Sequence, residues 1–371
     1  MKKVSFLIVF VLLAVGFIAC RKPPTDQEVE NGFDKTAMLT YYADNIIVPG
    51  YTAMVEKMQA LESASNTFLA APSGDAQATV KEAYKQAYLQ YQKVAAFQFG
   101  PAETALLDLY LNFSGGLDYS FTTSGELTGF SVDTNTIENN ITTGNYNLAN
   151  MSRSSFYSQG FPALNYLFFA PGAIEKYSTN TAARVAYTKA VITRMATLVN
   201  NVSTGWTAYR SEFIANTQTN VGSPIGNMVN QMAYQMDLLK GPRLGWPLGK
   251  QSNGIVFATK CEAYYAGFSV ALAIENLTNL KRIYVGGEGK GFSAYLVALG
   301  NEQMNNDVLA QFDAALSKLQ LIPDPLSNTL TTQPQTVDAA YKEIQKLLTL
   351  LKTDVASATA VQITFMDNDG D

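Results

Sequence analysis

Apolar residues recur every three and four positions along most of the chain, the period of helices with one buried face. Ala83, Tyr84, Ala87, Tyr88, Tyr91, Val94 and Ala95 hold this period until Gly100 and Pro101 end the run. An earlier helix is expected to end or kink at Val48-Pro49, and another runs from Tyr51 toward Leu69 until APSGD breaks it. Past the middle the pattern predicts helices over 182–200, 205–217 and 226–240, then a turn-rich crossing, GPRLGWPLGKQSNG, whose prolines and glycines forbid a continuous helix. A long helix is expected from Val256 to Tyr284, followed by shorter ones at 293–299, 301–319 and 337–357. Strand-like alternation is nearly absent, VQITF near the end being its one trace.

This pattern predicts an all-α fold of two helical-bundle domains of the four-helix type, over 33–175 and 176–371. AAYKEIQKLL faintly echoes the stripe at 82–91, but bundle helices share such stripes for physical reasons and no repeat is read from it. Residues 113–151 differ in texture, being rich in Gly, Ser, Thr and Asn, with one short helix expected near Asp133 to Thr142. Irregular segments this long inside compact domains tend to cover sites. The next stretch, SQGFPALNYLFFAPG, reads as a short apolar helix bounded by prolines with a single amide, Asn165, in its middle. An unmet buried amide costs about 1–3 kcal/mol, so Asn165 is either a structural bracket or part of a site.

Composition narrows the chemistry. The 371 residues include no histidine, which removes Ser-His-Asp and Cys-His catalysis and every imidazole metal site. What remains is chemistry by carboxylate, lysine, tyrosine or backbone amide, with hard-metal binding through oxygen still open. A net charge of −5 disfavours nucleic acid as a partner.

The start, MKKVSFLIVFVLLAVGFIAC, has a basic beginning, an apolar run and a small-residue end, the layout of an export signal over 1–20. Phe17, Ile18 and Ala19 before Cys20 resemble the bacterial lipobox, with Phe in place of the usual Leu. Lipidation of Cys20 would anchor the mature chain in a membrane, on the periplasmic or the outer face, and residues 21–32 read as a flexible tether. Cys261 is then the sole remaining thiol, so no intrachain disulfide forms, and it reads as a small core hydrophobe.

Two apparent motifs have plainer readings. GGEGKG at 286–291 lacks both a preceding strand and the Walker spacing, so it reads as a loop. DNDGD at 367–371 resembles the opening of an EF-hand loop without its distal glutamate, and reads as a solvated acidic tail.

Several stretches, in this order, resemble the imelysin-like family: YYADNIIVPGY, FGPA, GFPALNYLFF, LGWPLGK with CEAYYAGFS, LIPDPLSNTL and ITFMDNDGD. The resemblance covers most of the mature chain. It implies two similar helical bundles with a site in the cleft between them, a lipoprotein or periplasmic setting linked to iron uptake, and a Gly-x-His-x-x-Glu motif at the site. In this sequence Gly160 matches the glycine, Pro162 stands at the histidine position and Asn165 at the glutamate position. A metallopeptidase mechanism would therefore lack both its anchor and its base. Pro162 suits the first turn of a helix, and Asn165 lies one turn later on the same side.

Glu262 is the best remaining acid, and Arg243 the best nearby cation, its planar fork suited to a carboxylate or anionic ligand. A plain salt bridge between them is the competing reading. Asp108 and Tyr264 complete the candidate cleft, with Gly160, Pro162 and Asn165. No catalytic residue, metal ligand or cofactor is assigned, and iron enters through the resemblance alone. Three readings follow. The first is a lipid-anchored, non-catalytic binding protein working in uptake of iron or another nutrient, with its envelope partner open. The second is an altered hydrolase using a metal held by oxygen ligands. The third is a glycan-capturing lipoprotein, which needs exposed tryptophan platforms and has only Trp206 and Trp246 to supply them.

Overall fold

The computed structural model describes residues 32–113, 120–121, 127–128, 132–179 and 181–365. The expected signal over 1–20 with Cys20, the tether up to residue 31, and the acidic tail Asp367–Asp371 lie outside the described residues.

The chain opens with α1 (Lys35–Tyr42), capped by Asp34, whose Oδ1 accepts from the Ala37 N–H at 2.8 Å. A π turn, Ala43–Ile47, leads without interruption into α2 (Val48–Ala70), so Pro49 does not break the chain there. It follows directly on the π turn, whose widened register accommodates a residue without an N–H. Ser73 caps α3 (Gly74–Val94), the short link making α2 and α3 packed neighbours. Two short helices follow, α4 (Pro101–Thr104) and α5 (Leu107–Leu111). Within the irregular segment a two-residue antiparallel pairing joins β1 (Ser120–Phe121) to β2 (Leu127–Thr128). Then come α6 (Thr134–Thr143), at the position the sequence indicated, α7 (Arg153–Phe156), α8 (Gly160–Phe169) and α9 (Ala173–Thr179).

The expected helices at 182–200 and 205–217 are one, α10 (Thr181–Ala215). Gly205 serves close packing there rather than a break, since a Cβ would stand 2.9 Å from Pro101 Cβ. After α11 (Pro224–Leu238) the crossing is also helical: a π turn, Leu239–Gly245, holds Pro242 and runs into α12 (Trp246–Leu248). The widened turn accommodates a residue without an N–H. The long helix expected from Val256 is shorter. A 3₁₀ turn at Ala258–Lys260 precedes a reversal with left-handed Ala263 (φ 50°) and Gly267 (φ 75°), and only then does α13 (Ser269–Val285) begin. The chain ends with α14 (Phe292–Ala298), α15 (Glu302–Leu319), α16 (Leu326–Thr332), α17 (Pro334–Thr349), a π turn at Leu350–Val355 and α18 (Ala356–Ala358). VQITF forms no strand among the described residues.

The fold is all-α apart from the small β pairing. In one group of helices α10 packs along α2, α2 along α3, and α8 against both α3 and α10. In the other, α13, α15, α17 and α11 pack together, and α3 meets α13. Helix α10, which lies beyond residue 175, packs on the N-terminal helices α2 and α8. Residues Asp34–Asp371 nevertheless form one contact-dense unit. Aromatic rings fill its core: Tyr51 stacks on Trp206, which meets Phe99 and Phe213 edge-on. Trp206 and Trp246 are fully buried and offer no exposed platform. Cys261 is buried and free, as a core residue should be, and burial pushes its thiol pKa up to about 12. Among the described residues no helix is long and apolar enough to cross a membrane.

Candidate functional site

The site is built on the α3 stripe. Tyr84, Tyr88 and Tyr91 recur at helical spacing, all buried, and converge on Phe161 at the start of α8. Tyr88 stacks flat on Phe161 with ring centroids 4.2 Å apart. Gly160 makes this approach possible. It has φ 73°, and a Cβ there would lie 2.3 Å from the carbonyl oxygen of Leu111. Only glycine lets α8 begin against the end of α5.

Asn165 answers the question its position raised. Its Oδ1 accepts from the backbone N–H of Ala266 at 2.9 Å, clamping α8 to the reversal at 261–267. That reversal carries Glu262, so the glutamate projects from a turn rather than from the long helix the periodicity suggested. The Ser269 hydroxyl donates to the Glu262 carbonyl and ties the turn to the start of α13.

The Glu262 carboxylate is almost wholly removed from water, its side chain 4% exposed. Its Oε1 accepts from Tyr88 OH at 2.8 Å, Asn112 Nδ2 at 3.0 Å and, more weakly, Gln92 Nε2 at 3.4 Å. Its Oε2 makes no hydrogen bond and faces Arg243 Nε at 3.5 Å. Arg243, 3% exposed, comes from the π turn after α11, a helix irregularity common at functional sites. Its Nη2 reaches Gln235 Oε1 at 3.4 Å, while Nε and Nη1 make no hydrogen bond. An amide network closes the far side: Asn276 Nδ2 lies 3.1 Å from Gln92 Oε1 and 3.2 Å from Gln235 Oε1.

Asp108 on α5 is half-buried and accepts from Tyr91 OH. Removal from water raises its pKa above the ordinary aspartate value. The Tyr91 hydroxyl and Arg243 oppose that shift, and the Glu262 charge adds to it. Burial likewise lifts Tyr88 and Tyr91 well above the usual phenol, reinforced by Glu262 at Tyr88 and by Asp108 at Tyr91. Both tyrosines therefore act as neutral donors.

Of the residues singled out in the sequence, Arg243, Glu262 and Asp108 share one electrostatic neighbourhood. Gly160 and Asn165 shape its walls. Pro162 sits in the first turn of α8. Tyr264 packs edge-on against Tyr265. The sequence reading missed Tyr88, Gln92, Asn112, Gln235 and Asn276. Their signal was an amide at a buried helical position, as at Gln92 beside the tyrosine stripe and Asn276 within apolar α13.

The GGEGKG loop joins α13 to α14, and Lys290 pairs with Glu288 at 3.0 Å. Its lysine is engaged within the loop, and helices flank it on both sides.

The sequence model of the imelysin family (peptidase M75) matches residues 47–353. The chain belongs to the imelysin family. Two solved structures share the imelysin fold with it. A putative iron-regulated protein A precursor from Parabacteroides distasonis ATCC 8503 superposes with a TM-score of 0.71 at 18% identity, covering 92% of this chain and 97% of that one. An imelysin-like protein from Psychrobacter arcticum 273-4 also has a TM-score of 0.71, at 16% identity, covering 93% and 100%. No curated protein matches the chain.

The metal that the imelysin motif implies does not fit these residues. Pro162 has no side-chain donor atom, and the Asn165 oxygen is engaged by the Ala266 N–H. Glu262 is held by three neutral donors and faces a guanidinium. Among the described residues no three acidic or thiol side chains gather to hold an ion.

Proposed function

We propose that this imelysin-family chain is a non-catalytic binding protein of the bacterial cell envelope, held at the membrane by lipid on Cys20 and working in the uptake of iron or another nutrient. The observation that carries the reading is the state of Arg243. A buried guanidinium with Nε and Nη1 unmet, facing an unmet carboxylate oxygen at 3.5 Å, is costly unless a further polar group enters the site. The planar fork of arginine fits carboxylate-type oxygens on such a group, with the tyrosine hydroxyls as neutral neighbours. The description of the Parabacteroides relative as iron-regulated supports an iron-linked ligand. The apolar, lipobox-like start ending at Cys20 supports the anchor.

Titration calorimetry of the full-length chain in detergent with citrate and with ferric citrate tests the reading. Saturable binding of at least one, lost in Arg243→Met, is expected. No binding of either contradicts it. Cleavage of a peptide mixture by the wild-type chain but not by Glu262→Gln would favour the altered-hydrolase reading instead.

A further inference from the structure

A second concavity lies between α6 and the segment leading into α7, apart from the Arg243 cluster, with a volume of about 420 Å3. That is within the size range of small-molecule sites, roughly 300–1,000 Å3. Its lining is unusual in kind. Asn139, Asn140, Asn145, Asn147 and Asn150 contribute amides, serines and a threonine contribute hydroxyls, Tyr146 contributes a ring, and no lining side chain is charged.

The scaffold under this lining is pinned by hydrogen bonds. The Asn147 Oδ1 accepts from the Ala149 N–H at 2.9 Å, and its Nδ2 donates to Asn150 Oδ1 at 2.9 Å. The Leu148 carbonyl accepts from Ser155 Oγ at 3.0 Å and Gln159 Nε2 at 2.8 Å, and the Ala149 carbonyl accepts from Tyr110 OH at 3.0 Å. Tyr146 is half-buried, its ring set edge-on against Tyr187 at 4.8 Å. By contrast, the side-chain amides of Asn139 and Asn145 engage no protein group among the described residues, and both residues are exposed. Hydrogen bonds hold the scaffold while these amides line the groove, so ordering on binding is confined to a few exposed side chains.

We propose that this groove binds a neutral oligosaccharide. A metal ion would need carboxylates and an anion would need arginine or lysine in the lining, and the lining has neither. An apolar ligand would strand the amides and hydroxyls, whereas a neutral polyol meets them. An amide offers two donors and two lone pairs to sugar hydroxyls, and the Tyr146 ring offers a surface for the C–H face of a pyranose. The groove also has room to continue. An adjoining concavity of about 560 Å3 shares Tyr146, Asn147 and Leu148 and runs onto α10 past Ala186, Ala190 and Thr193, where the exposed Lys189 brings a charge that the first groove lacks. Arg194 at its edge is already committed, stacking on Tyr110 at 4.3 Å and donating from Nε to Gln159 Oε1 at 3.2 Å.

The test is calorimetry or ligand-observed NMR on the full-length chain in detergent with the hexasaccharides of α-1,4-glucose, β-1,4-glucose, β-1,4-mannose, β-1,4-xylose and β-1,4-N-acetylglucosamine, and hexagalacturonate as the charged control. At least one neutral hexasaccharide is expected to bind with a Kd of about 1 mM or tighter. Tyr146→Ala and the pair Asn139→Ala with Asn145→Ala are each expected to weaken it about tenfold. Tyr146→Phe keeps the ring and should keep the affinity, which separates recognition from a folding effect. The groove shares no residue with the Arg243 cluster, so the outcome here is independent of the Arg243 reading. Binding of none of the neutral hexasaccharides, preference for hexagalacturonate, or equal affinity in the Asn139/Asn145 double variant overturns the proposal.

Discussion

Asn165 is a residue whose oddity was visible in the sequence and whose explanation was not. A lone amide in an apolar helix announces an obligation to be met, but the partner, the N–H of Ala266, lies 101 residues away along the chain. Replacing Asn165 by Leu strands that N–H, and chemical denaturation should show a loss of about 1–3 kcal/mol. Gly160 was legible only as a helix start. The requirement for glycine arises from the Leu111 carbonyl, so Gly160→Ala should cost about 2–3 kcal/mol by the same measurement. Arg243 and Glu262 were legible as an acid and a cation that could pair, and the structure makes them a buried pair. Arg243→Met leaves Glu262 as a buried charge without its cation and should destabilise by about 3–5 kcal/mol. The double variant with Glu262→Gln should recover part of that loss, a coupling that a double-mutant cycle reads directly.

Helices with a clean apolar stripe, such as α3 and α15, appeared where their periodicity placed them. The differences arose where local rules met packing. Pro242, expected to interrupt a helix, sits inside a π turn; the helices expected at 182–200 and 205–217 are one, with Gly205 a contact point for α4; the run before Ser269, expected as helix, is a reversal. Two of these exceptions, the π turn and the reversal, carry Arg243 and Glu262 into the site, which is why periodicity alone could not assemble it. Titration should separate two short helices. Glu138 on α6 is partly buried, which pulls its pKa up. The hydrogen bonds from Tyr166, Arg184 and Lys176 overcome that and hold the carboxyl below the ordinary glutamate value. Its folded pKa is depressed, so its stabilisation is present above the unfolded pKa and lost as pH falls through the folded one. Asp108 on α5 has a raised pKa, so the folded state holds its proton longer and stability drops as pH climbs from the unfolded value through the folded one. Melting temperatures across pH should therefore show Glu138→Gln losing its deficit in acid. Asp108→Asn should gain on the wild type as pH rises above the ordinary aspartate range.

At the scale of the whole molecule, the all-α class and the imelysin relationship were legible because helical period and the order of short motifs survive where individual site residues do not. The fold is shared with solved structures below 20% identity, while in this chain Pro162 lies in the first turn of a helix and Asn165 clamps a backbone N–H. A fold can persist while the chemistry of its site differs. We propose that this chain, which has no histidine and spends Asn165 on a backbone clamp, holds its ligand rather than cutting it. Metal analysis of the purified full-length chain after equilibration with zinc, manganese and ferrous ions, followed by dialysis, tests this most directly. The account predicts no tightly retained metal in the wild type or in Glu262→Gln; one retained equivalent per chain that Glu262→Gln abolishes would contradict it.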